Sequence, residues 1–170
     1  MAAPVRRIGL RPFEEADAEA LHPIFSDAEA MAFWSTPPHA SIEETRAFVR
    51  ATIEATSAGT GDDQVVVMDG RVIGKAGLWD GQEIGFILAR DVWGRGLALE
   101  ALKAVIERAR ARGVSRLTAD VDPRNAASLG LLGKLGFVKT GEAKATMKVG
   151  GLWVDSVFLE LRLSPSPLPE

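Results

Sequence analysis

Residues 83–98 read Glu83-Ile84-Gly85-Phe86-Ile87-Leu88-Ala89-Arg90-Asp91-Val92-Trp93-Gly94-Arg95-Gly96-Leu97-Ala98, and their pattern decides the fold. The apolar run from Ile84 to Ala89 has the length of a strand and stops at Arg90-Asp91. Trp93-Gly94-Arg95-Gly96-Leu97-Ala98 then opens a helix that continues to about Arg112. The loop between them suits phosphate. Two glycines remove the Cβ atoms that would hold an anion away from the backbone, and the free N–H groups of a first helical turn, with the helix dipole, attract negative charge.

Downstream, Ser115 to Val121 reads as a strand and Asn125 to Leu135 as a helix. Two strands follow, from Phe137 onward and from Trp153 to Leu163, about a turn at Gly150-Gly151. Upstream, Val5 to Leu10 reads as an edge strand and Glu14-Glu15-Ala16-Asp17 begins a helix reaching about Ser26. Ser41 caps a second helix, with Glu44 at the capping-box position. Gly59 to Asp63 reads as a loop, and Gln64 to Met68 and Val72 to Trp79 as strands joined by Asp69-Gly70; Asp80-Gly81 turns into the strand at Glu83. The order is β-α-α-β-β-β-α-β-α-β-β, a mixed sheet with helices on both faces. Residues 1–163 are expected to form a single domain, and the Ser/Pro-rich stretch 164–170 a disordered tail.

Composition narrows the function classes. The chain has 170 residues, 46% of them hydrophobic and 25% charged, enough to bury one core. A formal net charge of −3 argues against a general nucleic-acid binder. Cysteine is absent, which removes disulfides, thiolate metal sites and a cysteine nucleophile. No metal is expected, because two distant histidines match no ligand spacing. With neither a signal core nor a run approaching the ~20 apolar residues of a membrane span, the protein is expected to be soluble, cytoplasmic and free of membrane.

The glycine loop has several readings. A P-loop fails, because Gly74-Lys75 and Gly133-Lys134 are followed by Ala76 and Leu135 instead of Ser or Thr. A dinucleotide fingerprint is closer, with Gly94-x-Gly96 opening a helix and Asp120 ending the next strand. Against it, the third glycine position holds Leu99, and the first half of the chain is not βαβ. Two glycines can also simply make a tight strand-to-helix turn.

A fourth reading joins three blocks. Glu83-Ile84-Gly85-Phe86, then Trp93-Gly94-Arg95-Gly96-Leu97-Ala98 with Glu100-Ala101, then Asn125-Ala126-Ala127-Ser128 with Lys134-Leu135-Gly136-Phe137, resemble the GNAT superfamily of N-acyltransferases in order and spacing. The closer likeness is to its RimJ/RimL branch, whose members acetylate ribosomal-protein N-termini. Leu10-Arg11-Pro12-Phe13 before Asp17-Ala18-Glu19-Ala20-Leu21 resembles the family's first strand and helix. The resemblance implies an α/β (mixed α+β) GNAT fold: a twisted, mostly antiparallel mixed sheet of about seven strands with about four helices. Its two parallel strands, here ending at Ala89 and Val121, would splay apart at the CoA site.

The same resemblance implies an acetyl-CoA-dependent N-acetyltransferase with a primary amine as acceptor, either a protein N-terminal α-amine or a small molecule. Homodimers are frequent among relatives. The loop departs from the family in one place: where relatives often have Gln or Arg, three residues before the first glycine, stands Asp91. It departs again at Leu132, where many relatives place a proton-donating tyrosine; this chain has no tyrosine at all.

Site residues follow from the carry-over. Backbone N–H groups of Arg95, Gly96, Leu97 and Ala98, behind Trp93 and Gly94, would hold the pyrophosphate, while Phe86, Ile87 and Leu88 would face the pantetheine arm. Asn125 and Ser128, one turn apart, would aim at the arm and the sulfur. Amine acylation needs a neutral nucleophile, an oxyanion donor and a proton for the thiolate. Glu83 is the candidate base, its competing role being ordinary pairing or solvation. Ser128 is the candidate thiolate partner, and a strand N–H near Ile87 the oxyanion donor. Asn125 and Ser128 could instead serve as helix caps. Arg95 could touch phosphate, Arg108, Arg110, Arg112 and Arg116 read as a solvated basic face, and His22 and His39 read as structural or surface residues. Trp34, Trp79 and Trp153 could line an acceptor pocket or belong to the core. A covalent acyl-enzyme is not expected. Outside this class, the alternatives are a non-catalytic acyl-CoA sensor and a dinucleotide-dependent enzyme.

Overall fold

A computed structural model describes residues 7–164. Along the chain run β1 (Gly9–Arg11), α1 (Asp17–Phe25), α2 (Ile42–Ala58), β2 (Asp62–Met68), β3 (Arg71–Trp79) and β4 (Glu83–Leu88). They are followed by α3 (Leu97–Ala111), β5 (Arg116–Val121), α4 (Ala126–Lys134), β6 (Val138–Val149) and β7 (Leu152–Arg162). A 3-10 turn at Arg90–Val92 links β4 to α3. The seven strands form one sheet in the order β1-β2-β3-β4-β5-β7-β6, antiparallel throughout except between β4 and β5. The element order and the mixed sheet agree with the sequence reading. Residues 5 and 6 of the expected first strand, and the tail from residue 165 on, lie outside the described residues.

Local chemistry explains the element ends. The Glu44 N–H donates to the Ser41 Oγ at 3.4 Å while Glu44 Oε2 accepts from the Ala40 N–H at 2.8 Å, which closes the start of α2. Asp69 and Gly70, and likewise Asp80 and Gly81, all take positive φ, the geometry of a two-residue turn that matches strand twist. Helix α1 starts at Asp17 and not at Glu14. The Asp17 carboxylate accepts both Arg11 guanidinium nitrogens, at 2.8 and 2.7 Å, and the Glu14 N–H at 2.7 Å, so residues 14–16 form a turn.

Strand β2 begins two residues earlier than its hydrophobic pattern predicts, because two aspartates are drawn inward by cations on opposite faces. Asp62 accepts from Arg108 on α3 at 2.6 Å and pairs with Arg112, the C-cap of that helix, at 2.7 Å. Asp63, the next residue, pairs with Lys75 at 3.0 Å, and Lys75 lies over the rings of Trp34 and of Phe48 on α2. Neighbouring strand residues point to opposite faces, so α3 covers one side of the sheet and α2 with α1 the other. Arg108 and Arg112 are thus structural anchors, and Arg116 pairs with Glu160 at 3.5 Å, which corrects the expectation of a merely solvated basic face. Apolar side chains fill both layers, Leu21, Phe25, Ile73, Leu97, Leu102 and Leu117 among those fully enclosed.

Candidate active site

The two parallel strands are paired at one register position among the described residues. Glu83 stands opposite Thr118, and the Thr118 N–H donates to the Gln82 carbonyl at 3.0 Å; among the described residues no further register pair joins β4 to β5. Beyond that point the strands part toward Leu88 and Val121, which is the expected splay. The backbone groups that line it follow from the ladder on β4's other side. The Ala89 N–H donates to the Ile73 carbonyl at 2.8 Å. Since ladder groups alternate sides, Gly85 and Ile87 turn their N–H and C=O toward β3, while Phe86 and Leu88 turn theirs into the gap. The oxyanion donor expected near Ile87 is therefore better matched by the N–H of Phe86 or Leu88. Trp93 closes the far end, its indole N–H donating to the Leu88 carbonyl at 2.9 Å.

At that far end lies the glycine loop expected to cradle an anion. Gly94 and Gly96 take φ of 72° and 74°, the left-handed region, and the space a Cβ would fill at Gly94 is open. Gly96 is the N-cap of α3 and has no side chain to cap with, so the first N–H groups of the helix face outward. Asp91, at the place of the family's Gln or Arg, is engaged by both guanidinium nitrogens of Arg71, at 2.7 and 3.0 Å. The Arg71 hydrogen bonds hold the Asp91 carboxyl below its usual range, and the acid's charge is balanced beside the loop.

Across the gap, Asn125 caps α4, its Oδ1 accepting the Ser128 N–H at 3.1 Å. The capping role is present, and it fixes Ser128 on the first turn. The Ser128 hydroxyl has no hydrogen-bond partner among the described residues.

At the closed end of the splay, Glu83 faces a cleft of about 350 Å³ lined by Trp79, Asp80, Gln82, Glu83 and Thr118. Trp79 is opposite Glu83 across the β3–β4 pair and 66% exposed, so it borders the cleft and is no core residue. Although the Glu83 side chain reaches solvent, partial burial of its carboxyl raises its pKa, and the negative charges of Asp120 and Asp80 raise it further. The carboxylates of Glu83, Asp80 and Asp120 have no ion pair or hydrogen bond among the described residues. The added Cβ of a residue at Gly85, on the same face as Glu83, would meet nothing within 4 Å. Of the residues lining this cleft, the sequence singled out Glu83 as the candidate base and Trp79 as a possible pocket wall, and gave no such place to Asp80, Gln82 or Thr118. Asp80 reads as a turn residue, and nothing local ties Thr118 to a strand 35 residues upstream in sequence.

The segment before α2 is pinned. Arg90 pairs with Asp27 and, at 3.2 Å, with Glu29, while the Arg124 guanidinium lies 5.8 Å from the Phe33 ring centre. His39 stacks on Phe25 at 5.1 Å, and both His39 and His22 place Nδ1 at 2.8 Å from the buried Thr45 Oγ1. Burial lowers the His39 pKa. Both histidines are thus half-buried pegs of this segment. Trp34 packs edge-on against Phe25, and Trp153 is exposed on the β6–β7 hairpin.

Residues 7–138 match the family model described as an acetyltransferase (GNAT) domain. The chain belongs to the GNAT acetyltransferase family. This GNAT domain is 31% identical to the L-methionine sulfoximine/L-methionine sulfone acetyltransferase of Pseudomonas aeruginosa, over 98% of each chain. It is 37% identical to the [ribosomal protein uS5]-alanine N-acetyltransferase of Escherichia coli, over 46% of this chain and 41% of that one. Among solved structures, RimL, a ribosomal L7/L12 alpha-N-protein acetyltransferase in complex with coenzyme A, superposes with a TM-score of 0.84 at 21% identity, over 92% of this chain and 94% of that one. The fold is that of the family, and the domain is an N-acetyltransferase. Among the described residues, no helix is long and apolar enough to cross a membrane.

Proposed function

We propose that this GNAT domain transfers the acetyl group of acetyl-CoA to a primary amine by direct attack in a ternary complex. The observation that carries the reading is the strand pair that parts beyond Glu83 and Thr118, with an open helix N-terminus at one end and an unpartnered carboxylate at the other. The first N–H groups of α3 and the Gly94–Gly96 loop hold the diphosphate, and the Phe86 carbonyl and the Leu88 N–H bond the amides of the arm. Glu83 takes a proton from the substrate ammonium, directly or through one water. A raised pKa makes it a stronger base than an ordinary glutamate. The freed amine attacks the thioester carbonyl and a β4 N–H in the gap stabilises the oxyanion; as the C–S bond breaks, the attacking nitrogen loses its second proton to solvent, and the Ser128 hydroxyl, reprotonated from solvent, is placed to donate a proton to the departing sulfur.

The acceptor is a protein N-terminal α-amine or a small-molecule amine. The carboxylates of Glu83, Asp80 and Asp120 favour a cation at this end, which suits the ammonium form in which an amine arrives. The test is a thiol-release assay over methionine sulfoximine, methionine sulfone, a peptide with N-terminal alanine, and a diamine. Turnover of at least one is expected. A chain that is thermally stabilised by NAD and not by CoA would overturn the reading.

A further inference from the structure

We infer that Arg7, just ahead of β1 and outside every motif that marks the family here, is a phosphate ligand for the bound cosubstrate. The inference rests on the reading of the α3 N-terminus given above and adds a side chain to a cradle so far made of backbone. The Arg7 Nη2 atom lies 3.5 Å from the position a Cβ would take on Gly96, the N-cap of α3, so the guanidinium stands at the mouth of the cradle. It is aimed there by Glu100, in the first turn of α3. Glu100 Oε2 accepts from Arg7 Nε at 3.1 Å, and Oε1 accepts the backbone N–H groups of Arg7 and Ile8 at 2.6 and 3.2 Å. One carboxylate therefore fixes both the main chain and the side-chain root of Arg7.

The terminal nitrogens of Arg7 make no hydrogen bond or ion pair among the described residues, and its side chain is 52% exposed. An arginine beside the positive end of a helix is electrostatically unfavourable, and Glu100 offsets only part of that. A bound phosphate would meet the guanidinium, the helix dipole and the loop amides together, the fork geometry in which arginine excels. Glu100 is a positioning residue in this arrangement and Arg7 a binding one.

The experiment measures affinity for CoA, dephospho-CoA and pantetheine by calorimetry, for the wild-type chain, Arg7→Gln and Arg7→Lys, with salt varied. Arg7→Gln should weaken CoA about tenfold, leave pantetheine unchanged, and lower the slope of log affinity against log salt. Arg7→Lys should restore part of the loss. A loss shared by CoA and dephospho-CoA places Arg7 on the diphosphate, and a loss confined to CoA places it on the 3′-phosphate. Equal CoA affinity for wild type and Arg7→Gln would overturn the inference. A wild-type chain that ignores CoA altogether would instead defeat the reading of the site itself. Thermal melting without ligand guards against a folding artefact, since an exposed side chain should shift it little.

Discussion

Glu83, the proposed base, is a carboxyl group whose surroundings oppose its charge. Replacing it as Glu83→Gln should lower kcat by about a hundredfold or more while leaving CoA affinity intact, the range expected when a general base is removed. Measured turnover within a few-fold of wild type would exclude the assignment. The pH profile should fall on the acid side through a pKa above the ordinary glutamate value, because burial, Asp120 and Asp80 all raise it. Stability carries the opposite sign. A carboxyl whose folded-state pKa is raised helps the fold below its unfolded pKa, and that help is lost as pH rises through the folded value. Glu83→Gln should therefore melt no lower than wild type at pH 7, with any gain vanishing near pH 4, an exchange of stability for function typical of active sites. Glu83 stood out in the sequence as a candidate through its strand position and the family resemblance together. Its acidic neighbours did not, since Asp80 sits in a turn and Asp120 reaches it only through the parallel pairing of β4 with β5.

Among the elements, β3 is the most constrained by close approach. A Cβ on Gly77 would stand 2.3 Å from the Asp62 carbonyl oxygen and 2.4 Å from the Asp63 Cα, both backbone atoms that cannot step aside. Gly77→Ala should destabilise the domain by at least about 2 kcal/mol in denaturant unfolding. Gly94→Ala meets no such atom and should cost about 1–2 kcal/mol through its positive φ alone, with CoA affinity falling beside it. The starts of α2 and α4 and the two-residue turns were readable, because Ser41, Asn125, Asp69-Gly70 and Asp80-Gly81 act through neighbours in sequence. The start of β2 was not. Asp62 and Asp63 look like loop residues until Arg108, Arg112 and Lys75 arrive from distant parts of the chain.

Across the whole molecule, acid tolerance should track two buried aspartates. Burial alone would raise the pKa of Asp62, yet Arg108 and Arg112 outweigh it, and Arg11 does the same for Asp17, so both fold with lowered values. Their contribution is present above the unfolded aspartate pKa of about 3.9 and fades as pH drops through the folded values. Melting temperature should thus decline below about pH 4, and Asp62→Asn should flatten that decline while costing about 1–3 kcal/mol at pH 7. Element order was legible from end to end. The insertion of β7 between β5 and β6 was not, because that pairing joins strands separated by a helix and a long hairpin, with no local signal to announce it. One further property comes from the indole that Trp93 seats on the Leu88 carbonyl. With four tryptophans and no tyrosine, ultraviolet emission comes from indole alone, and one of these fluorophores stands at the rim of the anion loop. Titrating CoA should change that emission without any label, and Trp93→Phe should abolish most of the change while the ligand still binds.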